Sequence, residues 1–473
     1  MNELHKNDIR GKLYRLIYLM NRNTRIQVST PVGVSAESDV GETLCQGTTE
    51  GAIASALNLD NGVTDFFHES LDEVYYLSVK LAPLLFQDDV ARLSLSVQSA
   101  QSGNDLMRCV AETKLLDFNL EKSGYVLFGA KRRRQELQNE LSEQPLQLCG
   151  RDMKHLTTVK YLGDYLSENG LSESVHVTVL KRKGLATRAI YDIKCILEDC
   201  RSQLTGGFVS GLDVWELAVI PMLLYNCETW QDISKKTLDE LEQLQLKFLR
   251  SALAIGSGCP LPLLYSETGI VCMELRILEK KLGFLHHLNQ LPEGSLAIEV
   301  LDIQISYGLP GIFNDCKDFL SKFEIFDLSQ YSKPQFKKLI KGKIRELNKS
   351  KFLELAKSKN YKKIDMKTLK DNDFKLKPYF SNCNVADARL KFKLVSFMTP
   401  SVKMNFQSDK KFAAEFWACE GCLEPGHLGM RDTQHHIGIC PGYEALREGR
   451  DLEKDSDLVN YFKDVLQLRA KTC

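Results

Sequence analysis

Apolar positions along this chain change their period near residue 170, and two kinds of structure follow. Up to that point, helical and strand-like windows alternate. Ile9, Leu13, Leu16, Ile17 and Met20 recur at helical spacing and predict a helix over 7–20. Residues 25–30 alternate like a strand and stop at Pro31, whereas 33–41 are acidic and turn-rich and predict a solvated loop. A helix opens at 53–59. The β-prone runs 74–79 and 84–86 follow, the second leading into Gln87-Asp88-Asp89-Val90 at a predicted turn. Residues 99–118 predict a helix with Leu106, Val110, Leu115 and Leu116 on its apolar side, and 124–129 predict a strand. From 171 the pattern is almost wholly helical: 186–197, 212–230, 238–253 and 274–288 each show a 3.6-residue period.

The chain has 473 residues, enough for two to four domains at about 100–200 residues each. Lys plus Arg number 62 and Asp plus Glu also 62, so only local charge can point to a partner. One window does: residues 331–380 hold 16 Lys/Arg against 5 Asp/Glu, interleaved with Phe336, Phe352, Tyr361, Phe374, Tyr379 and Phe380. That mixture suits a nucleic-acid backbone and unstacked bases, and it equally suits a lysine-rich solvated helix face. The run Lys131 to Arg134 predicts a charged loop, a phosphate contact or a nuclear address. Trp215, Tyr225 and Trp230 sit at helical spacing, as core residues do, and His286-His287 stand at a helix end, where they suit the dipole better than a metal.

The 14 cysteines are irregularly spaced and the first residues lack an apolar leader, so a reducing, intracellular setting (nucleus or cytoplasm) is expected. The longest apolar run, 217–225, contains Pro221 and is too short to span a bilayer. A secreted disulfide scaffold and an integral membrane protein are therefore not expected.

Two clusters carry chemistry. Asp88 and Asp89 are adjacent carboxylates delivered by an apolar strand. If both ionise they repel, and a divalent cation such as Mg²⁺ offsets that cost; a solvated hairpin turn is the plainer reading. In the tail, Cys419-x2-Cys422-x13-His436-x3-Cys440 offers three thiolates and an imidazole, a set suited to tetrahedral Zn²⁺, with His435 and His427 as competing ligands and buried reduced cysteines as the alternative. A retroviral-type knuckle fails, because Asp432 stands where its last Cys would be.

The order of the pieces resembles the reverse transcriptase of non-LTR (LINE-type) retrotransposons. Gln46-Gly47 with the small residues after it looks like that family's motif B, and Phe86-Gln87-Asp88-Asp89 like its motif C. Residues 119–123 with 124–129 resemble motif D, and Lys160-Tyr161-Leu162-Gly163 motif E. Residues 221–230, with Tyr225, Glu228 and Trp230, resemble the helical segment after the palm, and 432–447 resemble the family's C-terminal Cys-Cys-His-Cys segment, which favours His436 over His435.

The resemblance implies an α+β fold: a partial polymerase palm (1–170), a helical thumb-like region (171–310), a basic helical or linker region (311–400) and a zinc-binding region with a terminal helix (401–473). It implies RNA-directed DNA synthesis by two-metal nucleotidyl transfer, with Asp88 and Asp89 on Mg²⁺. Lys122 would lie near the triphosphate, and Gln46, Gly47 and Phe86 would line the nucleotide and template site. RNA template, DNA primer and nucleotides would be the partners, with no membrane. The family's first catalytic Asp lies on an earlier strand, which this sequence does not contain. The expectation is therefore a catalytically inactive fragment, with a noncatalytic nucleic-acid-binding relic as the alternative.

Overall fold

The computed structural model describes residues 74–359, 366–396 and 443–472, apart from positions 82, 87, 88, 115, 201, 453 and 454, together with short pieces between 11 and 39. The fold is mixed α+β and mostly helical. It divides into two compact units. The first comprises Met1–Tyr161, Tyr165–Gly170 and Gly294–Ser306; the second comprises Leu162–Asp164, Leu171–Glu293 and Tyr307–Cys473.

Strands in the first unit pair two by two. β1 (Arg25–Ile26) pairs with β4 (Ser38–Asp39), and β2 (Ser29–Thr30) with β3 (Gly33–Val34). The acidic stretch expected to be a loop is thus the returning arm of a hairpin. Backbone pairing needs no apolar side chain, so hydrophobic alternation gave no sign of it. The run 74–79 breaks at Leu77-Ser78, where Leu77 has φ +55, into β5 (Val74–Tyr76) and β6 (Val79–Leu81). β7 (Leu84–Phe86) and β8 (Asp89–Ala91) form the next antiparallel hairpin.

α1 (Val97–Lys114) backs that hairpin: Met107 and Val110 pack on Leu85, Val90 and Phe118. Its other end builds a second core from Val97, Leu141 and Leu146 with Tyr125, Leu127, Leu137 and Met153. Of the predicted strand 124–129, only β9 (Gly124–Tyr125) is extended and paired. It runs parallel to β12 (Lys154–His155), so close that a Cβ on Gly124 would lie 2.7 Å from Leu156. The basic run Lys131 to Arg134 opens a helix, α2 (Lys131–Glu143), rather than a loop. β10 (Gln147–Leu148) and β11 (Arg151–Asp152) follow, and β13 (Thr158–Tyr161) pairs with β14 (Asp164–Ser167).

The second unit is a helical body. α3 (Leu171–Asp199) packs along α6 (Lys235–Leu253), with His176 Nδ1 3.2 Å from Thr237 Oγ1. Between them run α4 (Gly207–Val214), a π-turn (Trp215–Val219) and α5 (Ile220–Leu223). The widening has a cause: Pro221 has no N–H to return to the preceding turn, and Ile220 N–H bonds to Trp215 five residues back. Trp215 is wholly buried, stacked on Phe248 at 4.4 Å.

α7 (Leu261–Thr268) and α8 (Met273–Leu288) follow in the same unit, whereas α9 (Leu296–Ser306) belongs to the first. His286 and His287 lie in the last turn of α8, at the helix end expected for them. His286 is buried, stacked on Phe336 at 4.4 Å, with Nε2 2.9 Å from the Tyr331 carbonyl.

After α10 (Ile312–Lys322), the basic window forms α11 (Lys333–Ser358), opened by a Ser332/Gln335 capping box. Its described aromatics are core residues, not a stacking surface: Phe336, Phe352, Phe374, Tyr379 and Phe380 are all buried, whereas Tyr361 lies outside the described residues. Asn348 holds the chain at 270–272, donating to the Ile270 carbonyl at 3.0 Å and accepting from Cys272 N–H at 3.1 Å. α12 (Met366–Asp371), α13 (Pro378–Asn382) and α14 (Val385–Val395) complete the body. α15 (Glu444–Arg447) and α16 (Asp455–Thr472) close a further core of Leu394, Tyr443, Val459, Tyr461, Phe462 and Val465. Among the described residues, no helix is long and apolar enough to cross a membrane.

Candidate active site

The β7–β8 hairpin places the paired aspartates. Its register sets Leu84 against Ala91, Leu85 against Val90 and Phe86 against Asp89. Alternation then divides the faces. Leu85 and Val90 point at α1, while Leu84, Phe86 and Asp89 are exposed on the other side. Asp89 therefore stands exposed near the tip of the hairpin, across from Phe86. Its carboxylate forms no ion pair among the described residues. Asp88, Gln46 and Gly47 lie outside the described residues.

Arg92, just past β8, anchors the hairpin to the helix. Its guanidinium donates to the Ser99 carbonyl at 3.0 Å and to the Ala100 carbonyl, and burial lowers its pKa. The side chain crosses α1 at Gly103, where an added Cβ would fall 1.9 Å from Arg92 Nη1. Neither residue was signalled by periodicity.

Tyr161, at the end of β13, is the second group near the hairpin tip. Burial, and after it the negative charge of Asp89, push its phenol above the ordinary value. The order of motifs marks the surrounding Lys160–Gly163 run but assigns Tyr161 itself no role. Lys122 sits on the exposed 120–122 turn, its backbone N–H accepted by the Asn119 carbonyl at 3.0 Å, and its ammonium has no side-chain partner among the described residues. The neighbouring Glu121 pairs instead with Lys154 at 2.9 Å.

A separate polar centre lies in the second unit. Arg182, almost fully buried on α3, donates to Asp164 at 2.6 Å, to the Gly163 carbonyl at 2.9 Å and to the Tyr225 carbonyl at 2.7 Å. Its guanidinium lies 5.6 Å from the Tyr225 ring centre and 5.7 Å from that of Trp230. Asn226 adds a bond to the Leu162 carbonyl at 3.0 Å. Burial raises the Asp164 pKa even with Arg182 opposing it. The Tyr225 and Trp230 positions are thus the walls of an arginine cage that holds the Leu162-Gly163 turn. Trp230 is buried, and Tyr225 keeps half its surface exposed.

The chemistry available at the hairpin is that of hard oxygen donors. Asp89, with Asp88 next to it in sequence, fits Mg²⁺ by donor type. Among the described residues, no cluster of three or more His, Cys, Asp or Glu stands ready to hold a metal. Cys419, Cys422, His435, His436 and Cys440 lie outside the described residues. No protein-family model matches this chain, and no curated protein matches it.

Proposed function

We propose that this chain is a reverse transcriptase segment of the non-LTR retrotransposon type, the first unit serving as palm and the helical second unit as thumb. One observation carries the reading: the antiparallel pairing of Phe86 with Asp89 on a hairpin backed by α1, which sets the exposed Asp89 directly across from the aromatic residue of the run compared with motif C. The proximity of Tyr161 to Asp89 supports it, since Tyr161 belongs to the run compared with motif E. Asp88 and Asp89 would hold Mg²⁺, which when bound neutralises charge at the transferred phosphoryl group. Phe86, beside Asp89, would bound the template and nucleotide site with Gln46 and Gly47. Lys122 would offer its unpaired ammonium to the triphosphate. Cys419, Cys422, His436 and Cys440 would hold a structural Zn²⁺; one zinc per chain by elemental analysis, lost in Cys440→Ser, is the expected result.

The test does not depend on turnover. A DNA primer with a photoreactive 3′-terminal nucleotide, annealed to an RNA template, is expected to cross-link within residues 84–91 or 158–164. Cross-links confined to other segments would overturn the reading. A noncatalytic nucleic-acid-binding protein is the second reading, favoured by the cationic outer face of α11, which needs no metal. The same cross-linking separates the two: primer contacts at residues 84–91 or 158–164 belong to the palm reading, and contacts confined to α11 belong to the second. Primer extension is expected to give no product under either, because the first catalytic Asp strand is absent from this sequence.

A further inference from the structure

α11 carries nine Lys and Arg against Glu346 and Glu354. Its apolar stripe is fully used in the core through Phe336, Ile340, Ile344, Phe352 and Ala356. Two of its cations are neutralised, Lys343 by Glu346 at 3.3 Å and Lys351 by Glu274 at 2.5 Å. Lys333, Lys337, Lys338, Lys341 and Arg345 are exposed and form no ion pair among the described residues. Lys333, Lys337, Lys341 and Arg345 follow one another at four-residue steps, about 6 Å of helix each. Like charges at that spacing repel along a helix, and Lys333 also opposes the helix dipole. The face is therefore locally unfavourable until an anion covers it.

Gly342 lies among these cations. A glycine inside a helix is less favourable than an alanine, and here a Cβ would meet nothing within 4 Å. No internal packing demands it, whereas a bare backbone lets a bulky ligand come close. An anionic membrane is a poor match, because interfacial helices insert apolar side chains and no large hydrophobic of α11 is exposed. A single-stranded ligand is also a poor match, because the face presents no aromatic for bases to stack on. We propose that the outer face of α11 binds the phosphodiester backbone of a nucleic-acid duplex without reading its sequence. The proposal deepens the second reading above, whose nucleic-acid surface it specifies, and does not depend on the palm reading.

The test uses the full chain, duplexes of unrelated sequence and fluorescence anisotropy across a salt series. Replacing Lys337, Lys338, Lys341 and Arg345 together by Gln is expected to weaken binding roughly tenfold or more at low salt. It should also flatten the log–log salt slope by about 3.6, four contacts at about 0.9 each, equally for every duplex. A companion variant with Lys337, Lys338 and Lys341 changed to Arg retains both affinity and slope. An unchanged slope in the Gln variant, loss confined to one sequence, a stronger effect on single strands than on duplexes, or an effect on anionic vesicles rather than duplexes would each overturn it. Primer cross-linking at the hairpin is read separately, so the two proposals fail independently.

Discussion

The ring of Tyr225 stands where a side chain on Gly163 would have to go: a Cβ there would lie 2.9 Å from Tyr225 Cε1, at a backbone φ of +88. Two penalties meet at one residue, a left-handed conformation and a steric collision. Gly163→Ala is expected to cost about 1–3 kcal/mol in denaturant unfolding. Adding Tyr225→Ala should return only the steric share. Full recovery in the double variant would mean the backbone conformation costs nothing.

Arg182 makes a sharper case, because its removal strands a buried carboxylate. Arg182→Ala is expected to destabilise by about 3–5 kcal/mol, since Asp164 would keep its burial and lose its partner. Asp164→Asn should cost less, as Arg182 still has three backbone carbonyls within reach. In a double-mutant cycle the two losses should fall short of additive. Strict additivity would show that the pair is not coupled.

What was legible in the sequence follows from which forces leave a local trace. The 84–91 hairpin was visible because a short apolar β-prone run leads directly into a polar, turn-prone one. The second unit was visible because a 3.6-residue period recorded its buried faces. The 33–39 strands left no trace, being held by backbone pairing at exposed positions. The charge of α11 was legible, but the burial of its aromatics was not, since a Phe reads alike under a core and over a base. The cage around Arg182 joins residues as far apart as Leu162 and Asn226, 64 positions, and no window spans that distance.

At the hairpin tip, Asp89 and Tyr161 can be tested without any assay of synthesis. The Asp89 charge helps hold the phenol proton, so Asp89→Asn should lower the Tyr161 pKa toward its ordinary value. Burial, the larger cause, remains, so the return is partial. Ultraviolet titration of the full chain, with Tyr161→Phe to assign the signal, reads this directly. A phenol that titrates alike in both proteins would place the two groups too far apart to interact.

Four buried thiols set the alkaline limit of the second unit. Burial pushes Cys227, Cys259 and Cys316 up to about 12 and Cys272 up to about 11 from a value of 9.0. Once pH passes the value for an unfolded thiol, the unfolded chain loses these protons while the folded chain keeps them. Folding stability must then fall as pH rises through that window, and be fully present below it. Unfolding midpoints measured from pH 8 upward under reducing conditions should decline, and Ser at all four positions should flatten the decline. The same burial keeps these sulfurs from a thiol reagent, so exposed Cys149 reacts in the native protein and the four react only as it unfolds. Labelling of Cys227 or Cys316 at the rate of Cys149 in the folded chain would contradict both expectations at once.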